Sequence, residues 1–558
     1  MRAITGKSIL PTNATLSLPT QSAPRAKNFS SKSNIVVKKF TCPSRHFIHR
    51  FFQPLGLGII LFGSSIIAFG SKPGTANTLS LQDALAATLE HSPALRIQQS
   101  VIEQKTGIQE QISGAFDWSA TGDISYDQNR EPVPGLPGTE PEERANTAAY
   151  TAGLNRLFRN GIYLRPSVTV GVEDSVIPAE PTYGISDLSV QIIVPLLRGL
   201  GTDSTGAAEA AARGDIDVAK LLYQHALSLQ AFSTTANYWS CRSADDTLAV
   251  QLDVEQAAEK LVESTKVLVD SGVFPPAYLL QAEANLREKR TVRINAELDA
   301  HDARFTLGQS LGLAPEAIAS TPTPTDLFPA LTASLTPFDD QTRSALIVRA
   351  LQHRSDYLAV KQSLVPLDIL TRQAELDLKP EINLVASAGY KGINKGSSLI
   401  SPLGKRLTGL NAEVGISVAW PFKNTYQRGL LRTRRANQNQ VEAETAQLAQ
   451  SVAREVLLAI EQLRLRADTV RSAQETVQIA KRAVAAQYEQ LKTGDGTILD
   501  VISLENLSAA ARIRYINAHA SYAIAIAQVR YALGAIFTDN DSGLTLSDLT
   551  VAPALSAL

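Results

Sequence analysis

Few residue combinations in this 558-residue chain have the spacing that catalysis or cofactor binding requires. The sequence has no phosphate-binding loop, no HExxH zinc motif and no nucleophile elbow. The segment GLGTDSTG (199–206) has the first two glycines of a dinucleotide fingerprint, but the third is misplaced and no βαβ unit surrounds it. Paired carboxylates in ADD (244–246) and AELD (296–299) lie on predicted helices, where solvated charge is the ordinary state. We therefore predict that the protein is not an enzyme and binds no metal or cofactor.

The bulk composition narrows the classes of partner. The chain is 44% hydrophobic and 19% charged with a net charge of −1, so we expect no nucleic-acid partner. Its two cysteines, Cys42 and Cys241, lie far apart without metal-ligand spacing, so we expect no disulfide framework. Cys241 is expected to be a small apolar residue buried within a helix.

The N-terminal region resembles an export signal. Basic residues up to Arg50 precede the apolar run LGLGIILFGSSIIAFG (55–70), and small residues follow it. This run is marginal for a membrane span and fits the apolar core of a secretory signal, with a single membrane anchor as the alternative. We therefore assign residues 1–76 to a leader.

The helices and strands that would position any functional residues are expected to occur twice, because the sequence contains two similar halves. HSPALRIQQS (91–100) is similar to HRSDYLAVKQS (353–363), and residues 272–312 align without a gap to residues 494–534. The sequence therefore predicts a tandem duplication. Its predicted parts are a first repeat (77–313), a Pro/Thr-rich linker (314–338), a second repeat (339–538) and a C-terminal tail (539–558).

Each predicted repeat contains alternating segments typical of strands. In LNAEVGISVAW (410–420), apolar side chains alternate with mostly small or polar ones, a pattern that fits a tilted outer-membrane strand. A half-buried strand of a soluble sandwich would give the same local pattern. The secretory leader and the long helices favour the membrane interpretation. Because so few strands cannot close a barrel and open edges are not tolerated in lipid, we predict an oligomer.

Each repeat also contains a helix too long for a compact domain. The predicted helix from Leu430 to Lys492 would extend on the order of 90 Å at 1.5 Å per residue. Its apolar residues recur every three or four positions, which indicates a coiled-coil seam. The seam comprises Val452, Val456, Ala459, Leu463, Ala467, Val470, Ala473, Val477, Ala480, Val484, Tyr488 and Leu491. A solvated coiled-coil rod would leave the strands unexplained, so the predicted fold class is α+β, a tandem-repeat protomer with strands continued by long helices.

Proline and glycine mark the predicted junctions between strands and long helices. Pro195 is followed by Gly199 and Gly201, and Pro421 is followed by Gly429. We expect each proline to end strand pairing and the glycines to let the chain turn into the helix.

Several motifs together resemble the TolC family of outer-membrane efflux and secretion channels. They are LSLQDALAATLEHSPALR, PLLRGLG, the closing YALG and QYEQLKTGDGTILDVISLENLSAAARIRYINA. The resemblance covers residues 78–538 and implies a homotrimer in outer-membrane lipid. It implies a 12-stranded β-barrel, four strands from each chain, continued by an α-helical coiled-coil tunnel in the periplasm.

The resemblance also implies a function and partners. The protein would be a passive exit duct for efflux or type I secretion. A periplasmic adaptor would connect it to an inner-membrane efflux pump or ABC exporter that supplies the energy. The alternatives are a periplasmic adaptor, which would have one helical hairpin, and a structural envelope-spanning coiled coil.

The sequence departs from the family pattern in two places. A candidate hairpin at 148–172, with an Asn160–Gly161 turn, could lengthen the barrel wall, lie outside it or add strands. The N-terminal region also lacks a lipid-attachment cysteine after its apolar run, so we expect no lipid anchor.

The family resemblance identifies three groups of candidate functional residues. Asp500 matches the first of two aspartates at the periplasmic aperture, Ser503 stands in place of the second, and Gly496 replaces a basic residue. The alternative for Asp500 is an exposed residue stabilised by the helix dipole. The predicted adaptor-contacting tip turns are Gly272, Val273, Gly494, Asp495, Gly496 and Thr497. The predicted barrel–tunnel joint comprises Pro195, Gly199, Gly201, Pro421 and Gly429.

Overall fold

The computed structural model describes residues 78–132, 142–175, 182–331, 339–399, 409–493, 495–540, 543–547 and 549. The predicted leader and the tip residue Gly494 lie outside the described residues. Within the described ranges, no helix is both long and apolar enough to cross a bilayer.

The first half of the described chain combines short helices, four long strands and two long helices. Its elements are β1 (Thr78–Leu79), α1 (Leu81–His91), α2 (Pro93–Ser113), β2 (Ser119–Pro132), β3 (Glu142–Leu157), β4 (Tyr163–Ser175), β5 (Tyr183–Pro195), α3 (Thr202–Thr205), α4 (Ala207–Asp270) and α5 (Pro276–Ser310). A 3-10 turn (Gly114–Phe116) leads into β2. A second 3-10 turn (Pro315–Ser320) and β6 (Thr323–Pro324), which pairs with β1, follow α5.

The second half repeats this order with two fewer strands in its hairpin region. Its elements are α6 (Asp340–His353), α7 (Ser355–Gln362), α8 (Leu364–Leu376), β7 (Glu381–Lys395), β8 (Gly409–Ala419), α9 (Thr425–Thr493), α10 (Ile498–Ala532), β9 (Phe537–Asn540) and β10 (Gly543–Leu546). The final long helices α5 and α10 each have 35 residues.

The two halves end their last long helices with the same glycine motif. Gly312 and Gly534 have φ values of 74° and 67°, and their N–H groups donate to carbonyls three residues earlier. A Cβ on Gly312 would lie 2.6 Å from the carbonyl oxygen of His91, and one on Gly534 would lie 2.8 Å from the carbonyl carbon of His353. Only glycine fits here, because it combines a positive φ with this close approach.

The helical seam predicted from the sequence is confirmed for most of its residues. The buried members are Val452, Val456, Ala459, Leu463, Ala467, Val470, Val477 and Ala480. Those from Val452 to Val470 share a core cluster with Tyr522, Ile526 and Val529 of α10. The helix itself begins at Thr425, earlier than the predicted Leu430, because the chain enters the helix soon after Pro421.

A second core cluster joins α4 to the short N-terminal helix α1. Trp239 and Tyr238 are fully buried there beside Leu81, Leu85 and Leu307. Cys241 belongs to the same cluster, as predicted, and burial raises the pKa of its thiol to about 12. A thiol with so high a pKa is unreactive at neutral pH.

All long strands form one antiparallel sheet in the order β2-β3-β4-β5-β7-β8. The halves meet where β5 pairs with β7, from Tyr183 opposite Lys395 to Pro195 opposite Asn383. The candidate hairpin is therefore β3 and β4, and it lies between β2 and β5 as part of the sheet. The expectation of four strands in each chain is wrong, because six strands of the described residues form the sheet.

Candidate functional site

One face of the sheet carries polar side chains across all six strands. Asp123 of β2, Thr151 of β3 and Thr169 of β4 stand opposite one another in register, followed by Asp187 of β5 and Lys391 of β7. The hydroxyls of Thr151 and Thr169 are 2.9 Å apart, and the Lys391 ammonium lies 3.8 Å from Asp187. These contacts are local and solvent-accessible, so the face is polar yet leaves donors and acceptors available to water.

A surface concavity lies along the middle of this polar face. Its lining includes Arg165 of β4, Gln191 of β5, Ser387 of β7 and Glu413 of β8. Gln191 pairs with Arg165 on one side and Ser387 on the other, and Ser387 pairs with Glu413. Charges of both signs therefore line one level of the face.

The opposite face of the sheet is apolar and exposed. Ile124 is 78% exposed and Val414 is 75% exposed. The other exposed large apolar side chains of this face are Tyr126, Tyr150, Leu154, Leu188, Val190, Ile192, Tyr390, Leu410, Ile416 and Val418. An exposed apolar band of this extent indicates contact with lipid or another protein. Its alternation with a polar face is the pattern of a transmembrane barrel wall.

The turn between β3 and β4 contacts the predicted joint after β5. The Gly201 N–H donates to the carbonyl of Asn160 at 3.0 Å, and the Thr205 hydroxyl donates to the carbonyl of Gly199 at 2.7 Å. A Cβ on Gly161, whose φ is 93°, would lie 2.1 Å from the Gly199 carbonyl oxygen. Gly199 and Gly201 both have a φ of 86°, so the joint is a tightly turned backbone segment that needs these glycines.

A buried carboxylate fixes this turn to the start of α4. Glu209, only 4% exposed, accepts two hydrogen bonds from Arg159 at 2.6 and 3.0 Å and one from Arg213 at 2.6 Å. The Arg159 guanidinium also lies over the Phe116 ring, 4.9 Å from its centre. The hydrogen bond from Arg159 lowers the pKa of the Glu209 carboxyl, so the group is ionised at neutral pH. The sequence analysis missed Arg159 and Glu209, since no local pattern pairs residues that far apart.

One expectation about the joints needs correction. Pro195 is the last paired residue of β5, opposite Asn383, and the Leu196 N–H donates to the carbonyl of Ile382 at 2.7 Å just beyond it. Gly429 lies inside α9 and makes no turn. The turn after Pro421 is made by Asn424, whose φ is 43° and whose amide donates to the Leu378 carbonyl at 3.1 Å. Asparagine tolerates this left-handed conformation, which explains a turn without glycine.

The first tip turn ends α4 with a Schellman motif. Gly272 has a φ of 76°, and its N–H donates to the carbonyl of Val269 at 3.0 Å. The Val273 N–H donates to the carbonyl of Leu268 at 2.9 Å. A Cβ on Gly272 would meet no atom within 4 Å, and the Val273 side chain is exposed. The turn therefore presents open backbone and one apolar side chain.

The second tip turn is closed by a capping box at the start of α10. The Asp500 N–H donates to the Thr497 hydroxyl at 3.2 Å, and the Thr497 N–H donates to the Asp500 carboxylate at 3.1 Å. The Thr497 hydroxyl donates to the same carboxylate at 2.6 Å. Gly496 packs against the last turn of α9, where a Cβ would lie 3.2 Å from the Leu491 nitrogen. Asp495 is exposed beside it.

Asp500 and Ser503 lie one helical turn apart and are both exposed. The hydrogen bonds from Thr497 lower the pKa of the Asp500 carboxyl in the single chain. Leu499 and Leu507 are exposed on neighbouring positions of α10. The candidate aperture face therefore combines one carboxylate, one hydroxyl and two apolar side chains, and the sequence analysis had not singled out the leucines.

The two helical hairpins are connected near their tips. Leu261 of α4 packs in one apolar cluster with Ile498 and Ile502 of α10. Slightly farther from the tip, Arg512 of α10 donates to the carboxylate of Asp253 of α4 at 2.7 Å. These contacts hold the first-half and second-half hairpins together within one chain.

The described residues contain no cluster of three or more histidine, cysteine, aspartate or glutamate side chains that could hold a metal ion.

Comparison with known proteins identifies the second half. Residues 346–535 match the family model described as outer membrane efflux protein. This part of the chain is an outer membrane efflux protein domain. No curated protein matches the chain.

Solved structures are similar in fold to most of the chain, including residues outside the family match. The outer-membrane channel OprN is 19% identical with a TM-score of 0.62, over 82% of this chain and 90% of that one. The Campylobacter jejuni CmeC outer membrane channel is 15% identical with a TM-score of 0.62, over 82% and 85%. The Vibrio cholerae outer membrane protein VceC is 16% identical with a TM-score of 0.60, over 81% and 96%. The chain therefore has the fold of these outer-membrane proteins, and the resemblance noted in the sequence is confirmed.

Proposed function

We propose that this protein is an outer-membrane channel-tunnel, a passive exit duct for efflux or type I secretion. The observation that carries the proposal is the six-stranded sheet, polar on one face and exposed and apolar on the other, whose strands lead into long paired helices. The match of the second half to the outer membrane efflux protein family supports it. A periplasmic adaptor or a purely structural coiled coil would not need such a sheet.

We propose that the working unit is a homotrimer in the outer membrane with its helices in the periplasm. Within the described residues, β2 and β8 each lack a strand partner on one side, and this supports a closed oligomer because lipid offers no hydrogen-bond partners to open strands. We propose that the tip turns, Gly272 to Val273 and Gly494 to Thr497, contact a periplasmic adaptor. The energy would come from an inner-membrane pump or exporter bound to that adaptor.

We propose that Asp500 and Ser503 form the periplasmic aperture in the trimer. Three Asp500 carboxylates around one axis would attract cations and repel anions. Their mutual repulsion would raise the apparent pKa of the ring, against the lowering by Thr497 within each chain. Exposed Leu499 would add an apolar side chain beside Asp500, and exposed Leu507 would add another about two helical turns farther along the helix.

Purified protein in a planar lipid bilayer tests the proposed channel. We expect discrete single-channel steps with a preference for cations. A heat-unfolded sample of the same protein serves as the control for detergent artefacts. Folded protein that inserts into the bilayer but never conducts would contradict the channel and favour a structural role.

A further inference from the structure

The β3–β4 hairpin is a full part of the sheet. It pairs with β2 from Ser119 opposite Asn155 to Pro132 opposite Glu142. On its other side β4 pairs with β5 from Tyr163 opposite Ile193 to Glu173 opposite Tyr183. A hairpin lying outside a barrel wall would leave β2 to pair with β5 directly, and in this chain they are separated by two strands.

The hairpin continues both faces of the wall. Thr151 and Thr169 extend the polar row between Asp123 and Asp187. On the opposite face, Ile124 of β2 stands opposite exposed Tyr150 of β3. Because β3 and β4 match their neighbouring strands on both faces, they suit the same surroundings, lipid on the apolar face and the lumen on the polar face.

The β3–β4 hairpin adds two strands to the sheet but no helix. Four strands connect to helices: β2 follows α2, β5 precedes α4, β7 follows α8 and β8 precedes α9. The β3–β4 turn instead ends at the joint, where Asn160 accepts the hydrogen bond from the Gly201 N–H. The insertion therefore adds to the sheet alone.

The edges of the sheet are complementary to each other. Strand β2 runs away from the helices and β8 runs back toward them, so β8 of one copy and β2 of the next would pair antiparallel. Six strands per chain preserve this alternation around a closed ring of any number of copies. The occupant that suits each free edge is thus a second copy of this chain.

We propose that three copies close an eighteen-stranded barrel by pairing β8 of each copy with β2 of the next, and that the β3–β4 hairpin makes this barrel wider than a twelve-stranded one on the same helical tunnel. The proposal rests on the proposed function. Because barrel diameter grows roughly linearly with strand number, the barrel would be about one and a half times as wide. The size limit for exported molecules would then lie in the helices, and the barrel would be a wide, polar outlet.

Disulfide cross-linking in native outer membranes tests the strand order. Cysteines are placed in pairs at Gly122 or Ile124 of β2 and at Ala412 or Val414 of β8, four combinations that sample the register between copies. We expect at least one pair to yield a covalent three-chain species on denaturing electrophoresis. Cysteines at Ile124 and Tyr150, which face each other within one chain, are the positive control and should leave monomers.

One further pair of cysteines tests the alternative that the hairpin lies outside the barrel wall. Cysteines at Ile124 and Leu188, in β2 and β5, should not cross-link, because three strand spacings separate them by about 14 Å. An efficient disulfide between them within one chain would mean that the hairpin lies outside the wall, and it would overturn the proposal.

Polymer exclusion tests the width. Deleting residues 142–175 removes both hairpin strands and joins β2 to β5 through residues 133–141 and 176–182. Polyethylene glycols of graded size are added to the extracellular side, and the largest polymer that still lowers conductance is determined for each protein. We expect the limiting diameter to fall by about one third in the deletion variant.

Equal limiting diameters would overturn the wider barrel. If neither protein conducts, the proposed channel function fails, and the cross-links still report the strand order. If the deletion variant does not insert, the four β2–β8 pairs and the Ile124–Leu188 pair decide the question in the full-length chain.

Discussion

An arginine on either side of one strand tests which face of the sheet contacts lipid. Val414 is the central residue of β8 and is exposed on the apolar face. Its neighbour Gly415 lies on the opposite face, where an added Cβ would meet no atom within 4 Å. Val414→Arg and Gly415→Arg therefore introduce the same side chain at adjacent positions, which in the proposed barrel would face lipid in one case and the lumen in the other.

The expected magnitude follows from the central position of Val414 in β8, which would lie near the bilayer midplane in the proposed barrel. An arginine near the bilayer midplane on the lipid face of a barrel costs about 2–4 kcal/mol. This corresponds to roughly a 30- to 700-fold loss in the folding equilibrium of each inserted chain. Gly415→Arg should stay within about 0.5 kcal/mol of the unchanged protein, because in the proposed barrel its side chain would reach water in the lumen.

Urea unfolding of protein reconstituted in lipid vesicles measures the difference. We expect a lower midpoint for Val414→Arg with an unchanged slope, and a midpoint near that of the unchanged protein for Gly415→Arg. Unchanged midpoints in both variants, or a larger loss for Gly415→Arg than for Val414→Arg, would refute the assignment of the faces. Equal loss in both would show that β8 does not tolerate arginine for reasons unrelated to lipid.

Four further predictions concern the joint, the tips and the aperture. Glu209→Gln should lower the free energy of unfolding by about 2 kcal/mol at pH 7, measured by thermal melts against Asp217→Asn as a surface control. Because the folded pKa of Glu209 is lowered, its stabilisation is present above the ordinary carboxyl pKa and is lost as the pH falls through the folded pKa, so the two melting curves should converge in acid. Val273→Asp should abolish export while trimer formation in the membrane is retained. Normal export would mean that the adaptor contacts other residues. Arg512→Ala should remove the link to Asp253 and increase single-channel conductance, and an unchanged conductance would mean that this ion pair does not restrain the tip. Asp500→Asn should weaken block by multivalent cations and lower cation preference in reversal-potential measurements; identical channels would leave Asp500 as a helix cap alone.

The helices were predictable from the sequence because their burial is periodic. Apart from the half-buried Ala473, the seam residues from Val452 to Ala480 are buried where the three- and four-residue spacing predicts, and a single sequence carries that information. The end of α4 was predictable too, since Gly272 occupies the left-handed position that a helix C-terminus favours.

The sheet was predictable only in part. Alternation in residues 148–172 and the Asn160–Gly161 pair indicated a hairpin, and the structure confirms it. Its place between β2 and β5 depends on which strands pair, and pairing is a long-range property that alternation does not encode.

At the joint and the tips, too, local features were predictable from the sequence and long-range contacts were not. The capping box of Thr497 and Asp500 follows a local four-residue pattern and was within reach of the sequence analysis. The left-handed Asn424 was not, because Gly429 offered a more typical turn residue nearby. The contact between Arg159 and Glu209 joins segments that are separated by a whole strand pair, and no local pattern indicates it.

The pairing of β5 with β7 has a consequence for how such a chain could have grown. Within one chain this pair joins the two halves, as β8 and β2 would join neighbouring copies. A half-length ancestor would thus have needed six copies to complete the ring, and any inserted hairpin would have appeared six times. Fusion of two halves into one gene frees them to diverge, so a hairpin gained in the first half alone enters the ring three times. The joined gene could enlarge its outlet in smaller increments than its ancestor.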